Sequence, residues 1–279
     1  MEVDCENCAG CCVDWRPVAE DDIDHERRGR FRALDDVHNF VFLTREEVRA
    51  FLEAGLADAM VPRLFAADDG VEVGGETVAA VGGVPAFVVG IRKPSKPVAP
   101  FGTEPRWLDT CAFLNPETLQ CRIHDTDLYP GDCATYPGSN LALERETECE
   151  RVEGAFGGAR LLDDEPEGTD GLLLGPSALG EKVFGYPDPE DEAVAAAIGG
   201  DPSRETRAAF VAIAAASAPG TLAVNDERRA EAYERALDAD GWTTGAIEEW
   251  HERAGETPEP SLGEAVEEAR GAPPTPGWD

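Results

Sequence analysis

Four cysteines crowd the start of the chain, where Cys5, Cys8, Cys11 and Cys12 spell C-x2-C-x2-C-C. A second group, Cys111, Cys121, Cys133 and Cys149, completes the eight, and the stretch between the groups holds none. This distribution constrains the fold more than any other feature, because thiols gathered in this way need a shared task. Buried cysteine can act as a small hydrophobe, but Asp4, Glu6, Asn7 and Asp14 make the surroundings of the first group polar. The opening Met-Glu-Val-Asp-Cys has neither the basic start nor the apolar stretch of a secretory signal. No run approaches the roughly 18 apolar residues of a membrane span. A cytoplasmic, reducing location is therefore expected, where disulfides are rare and thiolates bind metal or do chemistry.

The spacing suits metal. Two residues between cysteines let a tight loop turn both sulfurs toward one ion, as in zinc knuckles and iron–sulfur loops. C-x2-C-x2-C with a distant fourth ligand is the run that wraps a four-iron cluster in bacterial ferredoxins, and Cys121 or Cys133 could serve as that ligand. The adjacent pair Cys11–Cys12 is unusual. Neighbouring side chains diverge, so the pair would reach two metals or opposite sides of one cluster. Eight thiolates also divide into two tetrahedral zinc sites, and spacing leaves these options open.

Charge bears on solvent and partner. With 57 acidic against 24 basic residues the net charge is −33, and Lys93, Lys96 and Lys182 are the only lysines. The acids run from Asp4 to Asp279 among apolar periodicity, which argues for folded acidic surfaces rather than a disordered tail. Adaptation to a cytosol of molar salt, where the Debye length falls to about 3 Å, accounts for them. Nucleic acid is disfavoured, since phosphate neutralisation needs clustered cations. The one basic cluster, Arg27, Arg28, Arg30 and Arg32, is offset by Asp21, Asp22, Asp24 and Glu26. A partner protein is the better expectation.

Along the chain, Thr44 and Glu47 form a capping box before Val48, Phe51, Leu52 and Leu56 at helical spacing. Residues 71–91 alternate apolar positions around Gly74-Gly75 and Gly82-Gly83, predicting a small antiparallel sheet. The proline-spaced residues 94–105 read as an extended surface loop, and residues 155–162 as a further strand. Helices are expected at 176–184, 188–198, 203–217, 226–239, 243–254 and 261–270, the last opened by a Ser261–Glu264 capping box. The acids Glu231, Glu234, Glu248, Glu249, Glu267 and Glu268 read as a hydrated helical face, and the tail from Gly271 as frayed.

The residues around the second group carry a resemblance. C-x2-C-x2-C-C followed by Cys111-Ala-Phe-Leu, Cys121-Arg-Ile, Pro130-Gly-Asp-Cys133 and Tyr136-Pro137 resembles the YkgJ-type cysteine-cluster family. That family is described as iron–sulfur-containing or as a zinc- or iron-chelating domain, with eight cysteines in this order. The match covers about residues 1–150 and implies metal binding without an agreed reaction; some relatives are associated with protein lysine methylation. Two positions depart from the pattern. His124 stands where the family has tyrosine, and Tyr129-Pro130 replaces Arg-Pro. Cys121-x2-His124 has ligand spacing, but the usual aromatic there favours packing or surface histidine.

Other sites find little support. No glycine-rich phosphate loop or dinucleotide fingerprint is present. His25, His38 and His251 read as surface or satisfied residues, and Trp15 and Trp107 as core aromatics rather than shields for a cluster. Asp109 and Asp132 flank cysteines and are either second partners of a metal site or solvated loop residues.

The expectation is an α+β protein. An irregular cysteine-rich metal-binding domain with a small antiparallel sheet spans residues 1–165, and an acidic, mainly helical region spans 166–279. Cys5, Cys8, Cys11, Cys12, Cys111, Cys121, Cys133 and Cys149 are the expected ligands of an iron–sulfur cluster, four-iron type, or of zinc or iron. The expected role is redox, maturation or protein interaction. A structural zinc interaction module and a cluster-dependent protein-modifying enzyme are the alternatives, though no catalytic constellation is visible beside the cysteines.

Overall fold

The computed structural model describes residues 2–5, 8–20, 32–165, 179–198, 202–218 and 221–277. It is α+β, with a small antiparallel sheet and helices that lie mostly in the C-terminal half. In chain order the first elements are β1 (Arg32–Ala33), α1 (Arg45–Glu53), β2 (Met60–Val73), β3 (Glu76–Val78), β4 (Ala80–Val81), β5 (Val84–Ile91), β6 (Ser95–Val98) and β7 (Arg106–Asp109). Then come α2 (Gly131–Thr135), α3 (Gly138–Leu141), α4 (Glu148–Phe156), β8 (Phe184–Gly185), α5 (Glu192–Ala197), α6 (Arg204–Ala216), α7 (Asp226–Asp238), α8 (Trp242–Arg253) and α9 (Pro260–Ala269). The basic cluster and its offsetting acids, apart from Arg32, lie outside the described residues.

Thr44 caps α1 as its sequence requires: its side chain accepts from the Glu47 N–H while the Glu47 carboxylate accepts from the Thr44 N–H. The apolar stripe Val48, Phe51 and Leu52 is buried. Two glycine pairs turn the sheet. Gly74-Gly75 (φ 60° and 91°) joins β2 to β3, and Gly82-Gly83 (φ 57° and 86°) joins β4 to β5. Positive φ at both central positions suits a hairpin turn that follows the strand twist, and glycine adopts it without a Cβ penalty. β2 also pairs with β5, from Met60 opposite Ile91 to Leu64 opposite Phe87. Phe87 meets Phe210 of α6 edge-on with ring centroids 4.7 Å apart. The apolar core therefore runs continuously from the sheet into the helices, through α1 and α6 as far as Ala239.

Several segments depart from expectation for physical reasons. Residues 166–178 lie outside the described residues, and with them the start of the expected helix 176–184. Its end is a short turn followed by β8, because Phe184 pairs opposite Phe87 on the sheet edge and buries its ring there. The expected strand at 155–162 is instead the end of α4, stopped at Gly157 (φ 70°); only Leu161 makes a strand-like bridge, to Val3. The 94–105 stretch is not a surface loop, since β6 pairs with β7 and places Lys96 and Val98 at 0% exposure. α9 starts at Pro260 without a side-chain cap, because Glu264 accepts instead from the Asn115 side chain at 2.7 Å. Glu267 is not hydrated but fully buried.

Among the described residues no helix is long and apolar enough to cross a membrane.

Candidate metal centre

The first cysteine loop is built from tight turns. The Cys8 N–H donates to the Cys5 carbonyl (3.1 Å), and the Cys12 N–H donates to the carbonyl of Ala9 (2.8 Å), whose φ is 51°. Its apex presses on α4: a Cβ added at Gly10 would lie 2.8 Å from the Val152 Cγ2. Val152 is fully buried and stiff at χ1, so it has little room to yield. Gly10→Val is expected to cost about 1–3 kcal/mol through overpacking, read as a lowered denaturant midpoint; an unchanged midpoint would show that the loop is not seated on α4.

Backbone pairing carries this loop to the second group. The Cys111 N–H donates to the Cys12 carbonyl (2.8 Å), the Asp14 N–H to the Asp109 carbonyl (2.7 Å), and Val13 bridges Thr110. The loop thus extends the edge of the β6–β7 pair. Leu114 then bridges Cys121, and turns through residues 121–129 lead to α2, which carries Cys133. Two anchors fix α2: the Gly131 N–H donates to Glu47 at 2.7 Å, and Lys182 forms an ion pair with Asp132. Cys149 lies in the first turn of α4, which opens on a Thr147–Glu150 capping box.

All eight thiols are free. Cys5 and Cys11 are exposed, Cys12, Cys121 and Cys133 half-buried, and Cys8, Cys111 and Cys149 buried. The Cys11 and Cys12 sulfurs lie 3.8 Å apart. Their hydrogen bond holds the Cys11 thiol below its ordinary value and pushes Cys12 well above it. Burial pushes Cys5, Cys121 and Cys149 up to about 12. Like charge adds to that rise, from Cys11 and Cys8 on Cys5, from Cys111 and Cys11 on Cys121, and from Cys11, Cys8 and Cys5 on Cys149. Cys133 is raised well above its ordinary value by burial, then by Cys111, Cys11 and Cys121. Cys8 and Cys111 are also raised by burial, opposed at Cys8 by Arg160 and at Cys111 by Lys93 and Lys96. The fold therefore brings both cysteine groups within electrostatic reach of one another. Among the described residues, no three His, Cys, Asp or Glu side chains form a ready-made cage for an ion.

The surrounding side chains are mostly ones the sequence did not single out. The Arg160 Nε lies 3.1 Å from the Cys8 sulfur, and the Lys93 ammonium donates to the Cys11 carbonyl at 3.2 Å. Glu148, next to Cys149, is buried and accepts from the Trp15 indole (3.0 Å) and Arg151 (2.6 Å); His38 Nε2 lies 3.2 Å from the same carboxylate. Trp15 is a core aromatic, as expected, and it packs with Cys8 and Val152 beside Phe101 and Phe156. Trp107 is half-buried, its indole donating to the Glu256 carbonyl. His124 packs on Tyr129, ring centroids 4.9 Å apart, with Nδ1 3.3 Å from Asp125. Asp132 is tied to Lys182 and the Phe42 N–H. Burial, then the charge of Asp14, raises Asp109. Asp14, Arg16, Asp36 and Asp109 line part of a cleft of about 380 Å³ beside the loop.

Beneath the second group is a buried ionic cluster. The Lys96 ammonium donates to the carbonyls of Ala112 (2.8 Å) and Leu114 (2.7 Å) and to Glu267 (2.8 Å), and stands 4.3 Å from the centre of the Trp250 ring. The Arg122 Nε donates to the other Glu267 oxygen at 2.5 Å. One residue of α9 thus braces the chain on either side of Cys111 and Cys121. A weak signal was available: Glu267 shares a helical face with Gly263 and Val266.

No curated protein and no solved structure matches the chain. Over residues 1–279 it matches the model of the family of unknown function DUF7531, and it belongs to that family.

Proposed function

We propose that this chain is a thiolate metal-binding protein, its eight cysteines holding iron–sulfur of the four-iron type or zinc for a redox, maturation or protein-interaction role. The observation that carries this reading is the joining of two cysteine groups far apart in sequence, through the 2.8 Å hydrogen bond between the Cys111 N–H and the Cys12 carbonyl. Electrostatics support it. Clustered thiols desolvate and repel one another once ionised, and a bound cation offsets both costs. Ligand thiols must lose their protons, so binding releases protons and strengthens as pH rises. The resemblance to the YkgJ-type cysteine clusters points the same way, and the net charge of −33 favours a protein partner over nucleic acid.

The test is elemental analysis with a visible spectrum on protein purified without oxygen in molar KCl. Iron with broad visible absorbance supports the iron–sulfur form. Stoichiometric zinc without colour supports a structural interaction module that unfolds on chelation. A folded protein with free thiols and neither metal would overturn the reading.

A further inference from the structure

We propose that the eight cysteines form two separate four-thiolate centres, Cys5, Cys8, Cys11 and Cys149 in one and Cys12, Cys111, Cys121 and Cys133 in the other, the chain crossing between them at the Cys11–Cys12 peptide bond. This rests on the metal-binding reading above and goes beyond it by assigning ligands to each centre.

The first set is gathered on α4. The turn that closes with Cys8 N–H on the Cys5 carbonyl sets those two residues together. Gly10 places the loop directly against Val152, with the Cys8 sulfur among its nearest neighbours. Cys149 precedes Val152 by three residues on the same helix, the spacing that puts two side chains on one face. Residues 2–4 pair with residues 160–162: Val3 bridges Leu161, and the Asp4 N–H donates to the Arg160 carbonyl at 2.7 Å. That pairing delivers the Arg160 guanidinium to the Cys8 sulfur, a cation suited to offset thiolate charge.

The second set is gathered where the loop runs along the end of the β6–β7 pair. Cys12 and Cys111 are joined by a backbone hydrogen bond, and Cys121 is bridged to Leu114, whose N–H donates to the Cys111 carbonyl at 3.0 Å. Cys133 follows through consecutive turns and is set by the two anchors of α2. Different supports hold the sets, α4 with the segment 160–162 for one, the β6–β7 edge with α2 for the other. The Cys11 and Cys12 sulfurs lie 3.8 Å apart, so the two centres meet at this pair, with Cys12 held on the Cys111 side by the Cys111 N–H to Cys12 carbonyl hydrogen bond.

The test compares metal per chain in anaerobically purified full-length protein with Cys5→Ser, Cys121→Ser and the double variant, folding being checked by circular dichroism in molar KCl. Two independent centres predict about half the wild-type metal in each single variant and almost none in the double. Cys149→Ser should match Cys5→Ser. Complete loss from a folded single variant would mean one shared centre and overturn the assignment, as would full retention. Metal-free wild-type protein would instead sink the metal-binding reading itself. A second measurement does not depend on any variant folding: stepwise chelation of the wild type with alkylation and mass mapping. Cysteines should become reactive as two sets of four in the stated grouping; any other grouping overturns it.

Discussion

Replacing Glu267 with alanine is expected to lower stability by about 3–5 kcal/mol, the cost of breaking a buried ion pair and leaving its partners uncompensated. Both carboxylate oxygens are engaged, one by Lys96 and one by Arg122, and all three side chains are at most 2% exposed. Removing the carboxylate strands two cations where water does not reach. Burial already pulls the Lys96 ammonium below its ordinary value, and Glu267 provides the main opposing pull. The loss should show as a reduced denaturant midpoint in molar KCl. Because Lys96 also ties the carbonyls of Ala112 and Leu114, the buried Cys111 thiol should alkylate faster in the variant. A triple replacement, Lys96→Met, Arg122→Met and Glu267→Leu, should recover most of the stability, since well-packed apolar side chains often replace buried ion clusters at little cost. A Glu267→Ala protein as stable as the wild type would show that α9 does not brace the chain around Cys111 and Cys121.

How far the fold could be read from sequence depended on whether the signal was local. Thr44 and Glu47, and the two Gly-Gly pairs, act within a few residues, and the helix and hairpins they imply are present. The misread segments turn on distant partners. β6 looked like a loop because Lys96 and the surrounding prolines are poor strand-core residues in isolation. It can be buried because Glu267, far along the chain, supplies the opposite charge. Ser261 and Glu264 have capping-box spacing, yet Asn115 draws Glu264 away. Phe184 leaves its expected helix to pair opposite Phe87 and bury its ring against it.

The same division runs through the candidate site. Cysteine spacing is local, and it marked the loop and the second group. Arg160 at Cys8, Lys93 at the Cys11 carbonyl and Glu148 beneath Trp15 depend on chain crossings that no spacing encodes. His38 is buried and satisfied by Glu148, and His124 packs on Tyr129, while His25 lies outside the described residues.

Dilution of salt is expected to unfold the protein, whereas molar KCl should keep it folded. The chain carries a net −33, and among the described residues a few of its cations are buried. Lys96 and Lys182 are at most 2% exposed, and half-buried Lys93 is hydrogen-bonded to the Cys11 carbonyl. Arg63, Arg92 and Arg122 are also buried, but Asp14, Asp58, Glu148 and Glu267 are buried with these cations, so the surface keeps nearly the whole acidic excess. The crowding is visible at Glu117, raised above its ordinary value first by a hydrogen bond with Glu264 and further by the charges of Glu264 and Glu268. Such repulsion acts across about 10 Å at 0.1 M salt and only about 3 Å at 1 M, so screening decides its size. Circular dichroism along a KCl series should show helix signal lost cooperatively as salt is withdrawn and regained when it is restored. Sucrose at matched osmolality should not substitute, because it screens no charge. A full helical signal with unchanged thermal stability in dilute buffer would mean that the acidic surface is tolerated without salt, and would remove the solvent-adaptation reading of the composition.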